Sequence, residues 1–78
     1  MKETLQFIIA SIVENPDKIV IDENEENGVI LYTITVDPSD MGKIIGKEGR
    51  MIRSVRNVMK IPAIKSGKRI HIDLSQQE

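Results

Sequence analysis

The chain has 78 residues, 40% of them hydrophobic, with no cysteine, one histidine and a formal net charge of −1. That is the length of one domain, and the composition excludes a disulfide framework, a thiolate metal site and a histidine cluster. A core this small supplies no more than about 3–5 kcal/mol, so the fold rests on packing alone or on a partner.

Leu5, Ile8, Ile9, Ile12 and Val13 recur at helical spacing and predict an amphipathic helix. Glu3 sits in its first turn, where a negative charge suits the helix dipole. Asn15-Pro16 ends it, because a residue before proline is pushed out of the helical region. Lys18 to Glu23 is short and β-branched and predicts a strand. The acidic stretch from Glu23 to Gly28 reads as a turn, with Asn27-Gly28 a hairpin signal. Val29 to Val36 predicts a second, antiparallel strand. Ile30, Tyr32, Ile34 and Val36 lie on one of its faces, Thr33 and Thr35 on the other.

Asp37-Pro38-Ser39-Asp40 breaks that strand. Pro38 suits a first helical position, and Ser39 or Asp40 suits a cap. Met41, Ile44 and Ile45 give a short apolar stripe that Gly46 and Gly49 interrupt. A further helix is predicted from Arg50 to about Lys60, where Pro62 limits it. Ile52, Val55 and Met59 form its apolar side; Arg53, Arg56 and Lys60 lie opposite. Lys65 to Lys68 reads as a turn. Ile70, Ile72 and Leu74 alternate with His71 and Asp73 as a last strand, and residues 75–78 form a polar tail. The order helix, strand, strand, helix, helix, strand predicts an α+β domain over residues 1–78. Helices cover one face of a three-stranded mixed sheet, and the helix pair is long enough to cross over between parallel strands.

The charge is unevenly spread. Residues 1–42 hold two basic side chains, Lys2 and Lys18, against nine acidic ones, whereas residues 43–69 hold nine basic side chains and the single acid Glu48. Such asymmetry points to nucleic acid or membrane contact. Apolar runs such as Ile19-Val20-Ile21 fall far short of the ~20 residues of a membrane span. No signal-peptide pattern opens the chain, so a cytoplasmic protein is expected. No nucleophile–base set is spaced for catalysis, and neither cofactor, metal nor small-molecule substrate is expected.

The basic segment opens on Met41-Gly42-Lys43-Ile44-Ile45-Gly46-Lys47-Glu48-Gly49-Arg50-Met51-Ile52. Glycines in such a loop permit positive φ and let backbone approach a ligand backbone. The helix start leaves amide N–H groups unpaired, a setting that favours phosphate. Lys47 adds a mobile charge and Arg50 a planar donor fork, while Glu48 places a carboxylate in the same loop. Taken alone, the Arg50, Arg53, Arg56 and Lys60 face is an ordinary solvated surface; beside the loop, Arg50 and Arg53 are the phosphate candidates. Ile61-Pro62-Ala63-Ile64 either covers the core or forms an exposed interface.

The glycine loop between two helices, the Ile44-Ile45 pair before it and Ile52 after it resemble the KH domain, and the element order matches its type II variant. Length and simplicity resemble the small bacterial single-KH-domain family called KhpA. The resemblance implies a fold covering nearly the whole chain. It also implies non-catalytic binding of single-stranded RNA, whose backbone the GxxG loop clamps. Gly46, Lys47, Glu48 and Gly49 are then the clamp, and Ile45 and Ile52 lie near the floor of the groove. Lys43, Arg50 and Arg53 meet phosphates or base edges. An RNA-chaperone or post-transcriptional role is implied, with links to cell elongation and division. So is a homodimer, or a heterodimer with a larger KH-containing protein, for which Ile61 and Ile64 are the interface candidates. An interaction module in which RNA binding is secondary is the alternative.

Overall fold

A computed structural model describes residues 1–75; the tail residues 76–78 lie outside the described residues. Helix α1 spans Lys2–Ala10, followed by a single 3₁₀ turn at Pro16–Lys18 and strands β1 (Val20–Glu26) and β2 (Val29–Thr35). A second 3₁₀ turn, Pro38–Asp40, leads into α2 (Met41–Ile45). The glycine loop, with a third 3₁₀ turn at Lys47–Gly49, joins α2 to α3 (Arg50–Lys65), and β3 (Arg69–Leu74) closes the domain.

The sheet order is β1-β2-β3. β1 and β2 are antiparallel, in a register from Val20↔Thr35 to Glu26↔Val29. β2 and β3 are parallel, with Ile30 opposite Ile70 and Tyr32 opposite Ile72. The expected α+β order and mixed sheet are therefore present. Alternation turns Ile21, Ile30, Tyr32, Ile34 and Ile72 to one face, where they are buried against Leu5, Ile9, Ile44, Ile52, Val55 and Met59. The Tyr32 phenol is pushed up to about 12, first by burial and then by the carboxylate of Glu23, its cross-strand partner.

Three boundaries differ from the sequence expectation, each for a physical reason. Helix α1 stops at Ala10, where the Ser11 hydroxyl donates to the Ile8 carbonyl. The chain then winds on in a looser turn that still buries Val13. β1 runs through the acidic stretch to Glu26 rather than stopping at Glu23. Asn27 and Gly28 both take positive φ, 53° and 80°, so a two-residue turn closes the hairpin and leaves the carboxylates on a wet edge strand.

α3 continues past Pro62 to Lys65. Its stop is set instead by Gly67 at φ 68°. There the Gly67 amide donates to Ile64 and the Lys68 amide to Ala63, the paired bonds of a Schellman motif. Burial of Ala63 and this cap offset the hydrogen bond that Pro62 omits.

The expected caps also change roles. Asp37, not Ser39, caps the turn before α2: its carboxylate accepts the Ser39 amide at 2.9 Å and hydroxyl at 2.7 Å, and the amide bond above all holds it below the usual carboxylate range. Asp40 points away from its own helix, into the chain that follows α1.

Candidate nucleic-acid interface

Asp40 anchors α2. It is 1% exposed and accepts the Glu14 amide, the Asn15 amide and the Asn15 side-chain amide, each at 3.1 Å. Burial pushes its carboxyl up, but these donors, with Lys43, outweigh burial and hold it below the ordinary value. The Lys43 ammonium lies 2.6 Å from Glu14 and 3.7 Å from Asp40. Its hydrogen bond to Glu14 leads the causes that raise its pKa. Lys43, expected among the phosphate contacts, is thus held in internal ion pairs.

The loop itself is tightly determined. The Gly46 amide closes α2 on the Gly42 carbonyl at 2.9 Å, and the Gly49 amide reaches the Gly46 carbonyl at 3.2 Å. Gly46 sits at φ 74°, ψ 175°, a region essentially reserved for glycine. A Cβ there would meet the Met51 Cβ at 2.7 Å and the Met51 amide nitrogen at 2.8 Å. Gly49 is left-handed with open space around its Cα, so only its backbone conformation asks for glycine. Between them Glu48 is also left-handed, at φ 56°, ψ 27°. Gly49 provides no side-chain cap to α3, and the Arg50 amide donates to the Lys47 carbonyl of the loop.

Two arginines meet this loop differently. Arg50 is exposed, with its guanidinium 3.7 Å from the Glu48 carboxylate. Arg53 turns back on the loop, donating from Nη2 to the Glu48 carbonyl at 2.8 Å and from Nε to the Gly49 carbonyl at 3.3 Å. Arg53 therefore braces the loop with two of its donors, at an exposed position. The two isoleucines also separate: Ile45 is 37% exposed and can floor a groove, whereas Ile52, at 7%, belongs to the core beneath it.

A cleft further along α3 uses residues outside the expected set. Arg56, Lys60, Ile70, His71 and Ile72 line a groove of about 310 Å³ between α3 and the outer edge of β3. A second hollow of about 340 Å³ continues from it past Ala63, Ile64, Lys68 and Arg69. Arg53, Arg56 and Lys60 follow one another at helical spacing along this side of α3, over ~10 Å of its axis. Their shared stripe is legible in the sequence. The missing information is that β3 lies beside it, because a parallel crossover joins residues distant in the chain. Arg56 donates from Nε to the Ile72 carbonyl at 3.1 Å, and the other end of its guanidinium comes within 4.0 Å of Asp73. The His71 ring nitrogen Nε2 lies 3.1 Å from the same Asp73 oxygen. Among the described residues there is no group of acidic, histidine or cysteine side chains suited to a metal ion.

Comparison with known proteins agrees with this arrangement. A family model described as "KhpA/KhpB, KH domain" matches residues 2–74. The RNA-binding protein KhpA of Oceanobacillus iheyensis is 40% identical over 74 residues, covering 95% of this chain and 99% of that protein. Its namesake in Clostridium acetobutylicum is 38% identical over the same coverage. The crystal structure of Era in complex with MgGDPNP and a segment of 16S ribosomal RNA has a similar fold, with a TM-score of 0.67 at 21% identity. That match covers 92% of this chain and 28% of the Era chain, and so concerns one part of a longer protein. Sequence, topology and loop geometry converge on one assignment: the chain belongs to the KhpA/KhpB KH-domain family.

Proposed function

We propose that this chain is a single-domain, non-catalytic, cytoplasmic module that binds single-stranded RNA. The observation that carries the reading is the glycine loop at the head of a helix whose cationic stripe borders a strand edge. In this reading the backbone of about four nucleotides crosses Gly46-Lys47-Glu48-Gly49. Lys47, Arg50 and the uncapped α3 amides attract phosphate. Gly46 supplies the close approach, and Arg53 keeps the loop carbonyls turned away from the strand being bound. Bases then lie along the α3–β3 groove, above Ile45. Lys43 contributes through long-range charge only. Relatives named for RNA binding support the reading, as does a fold neighbour solved with ribosomal RNA. With one Phe and one Tyr in the chain, and Tyr32 buried, stacking contributes little. Binding is accordingly modest and strongly salt-dependent, as expected of contacts made mainly to phosphate.

Replacing Lys47 and Glu48 together with aspartates tests the clamp. Fluorescence anisotropy with a short single-stranded RNA is expected to show a loss of tenfold or more, at the order of magnitude of several phosphate contacts. Unchanged affinity would falsify the clamp.

A second reading has its own observation. Val58, Ile61 and Ile64 are 50%, 61% and 76% exposed on α3, away from its buried stripe. Such a row suits a dimer, either with a second copy or with a larger KH-containing partner, that joins weak RNA sites by avidity. Charge placed at Ile61 or Ile64 is expected to shift sedimentation to a smaller species. An unshifted profile removes those residues from any interface.

A further inference from the structure

The edge of β3 has a feature that bears on which bases the groove accepts. In a parallel pair, the N–H and C=O of one residue point to the same side, and successive residues alternate sides. The Ser75 amide donates to Ile34 of β2. That fixes the parity: His71 and Asp73 turn their backbone groups toward β2, while Ile70 and Ile72 turn theirs outward into the groove. An outward residue with both groups free offers one donor and one acceptor. That pair suits a base edge with a ring acceptor beside an amino group, as in adenine and cytosine. At Ile72 the acceptor is already engaged, because Arg56 donates to the Ile72 carbonyl at 3.1 Å. What remains at Ile72 is its N–H, with the rest of the Arg56 fork and the Lys60 ammonium beside it, and all of these are donors; the next outward acceptor along the edge is the Ile70 carbonyl. The nearby Asp73 carboxylate turns one oxygen toward the His71 ring and the Arg56 guanidinium, on the solvent side of the strand.

We propose that Arg56 is a specificity-determining residue. By occupying the Ile72 carbonyl it leaves donors only at this residue, selecting uracil and guanine, which place a carbonyl oxygen where cytosine and adenine carry an amino group. Uracil offers O4 where cytosine carries an amino group, and guanine offers O6 and N7 on one edge where adenine carries N6 hydrogens. An amino group brought to Ile72 faces a guanidinium and an amide N–H, and the carbonyl that would accept it is already engaged. The inference rests on the RNA-binding reading above and adds base selection to it.

The cleanest comparison is oligouridylate against oligocytidylate, which share ring size and differ at the amino and carbonyl positions. Oligoadenylate and a guanine–uracil repeat complete the set, and anisotropy is measured on the intact chain. The expected result is at least ~5-fold tighter binding of the uracil and guanine–uracil strands, the lower range for one directional base contact. Arg56→Gln should bring the uracil-to-cytosine ratio to about one. Arg56→Lys keeps the charge but loses the planar fork, so the ratio should fall while the salt dependence stays that of the unaltered chain. A role for Arg56 in charge alone would leave the Lys variant's ratio like that of the unaltered chain, and would overturn the proposal. Equal binding of all four strands, or a preference for cytosine or adenine, overturns it while leaving RNA binding intact. Failure to bind any strand overturns the RNA-binding reading itself, and this proposal with it.

Discussion

The two edges of the sheet offer the same kind of backbone groups in opposite electrostatic surroundings. β1 carries Asp22, Glu23, Glu25 and Glu26 along its seven residues, all exposed. β3 lies beside Arg56 and Lys60 of α3, with the glycine loop and Arg50 at the head of that helix. An unpaired strand edge is a template for any extended chain that fits it. On β1, carboxylates repel a polyanion and another acidic edge alike. On β3, a helix narrows the edge into a groove and lines it with cations. The uneven charge of the linear sequence thus becomes two sides of one small sheet, and the same backbone geometry is closed to RNA on one side and available on the other.

Reversing the charge on the favourable side should break this contrast most strongly. Arg56→Glu combined with Lys60→Glu is expected to weaken single-stranded RNA binding by well over tenfold. It should also flatten the salt dependence by roughly 0.7 in the log–log slope for each phosphate no longer neutralised. Next in size is Gly46→Ala. Cβ contact with Met51 and a glycine-only conformation combine there, for a stability loss of about 1–3 kcal/mol in chemical denaturation. Gly49→Ala, strained but unobstructed, should cost only about 1 kcal/mol, so the pair separates close approach from backbone strain.

Acid titration probes the support beneath the loop. The Asp40 carboxyl is depressed in the folded state, so its contribution is complete above the unfolded value, near pH ~3.9, and disappears as pH falls through the folded one. Thermal melts should therefore lose stability below about pH 4, and Asp40→Asn should be less stable at neutral pH with a flatter acid limb. The smallest effect belongs to the β1 edge. Glu25→Gln with Glu26→Gln removes exposed charge and a solvent-screened 3.5 Å pair with Lys68. It should tighten RNA binding by no more than about twofold, through long-range charge alone.

Much of this organisation is legible in the linear chain, because local rules carry it. Leu5 and Ile9, the alternation from Ile30 to Val36, and the Asn27-Gly28 turn each signal their element within a few residues. Gly46 and Gly49 mark the loop for the same reason. Helix length at Pro62 is not legible, since the outcome depends on Ala63 packing into the core and on Gly67 capping the end. The roles of Lys43 and Arg53 are hidden as well. A cation in a basic segment reads as free until the fold brings Glu14 and Asp40 to one, and turns the other back on the loop carbonyls. Arg56 is hidden for the opposite reason: it reads as a solvated helix residue until the crossover sets β3 beside it.

The central claim is that RNA runs over the glycine loop and along the α3–β3 groove. Titrating the ¹⁵N-labelled chain with a short single-stranded RNA, and following every backbone amide, tests it directly. The largest shifts are expected from Gly46 to Arg53 and from Ile70 to Ile72, with Val20 to Glu26 unmoved. Shifts centred on β1, or spread evenly over the surface, would contradict the account.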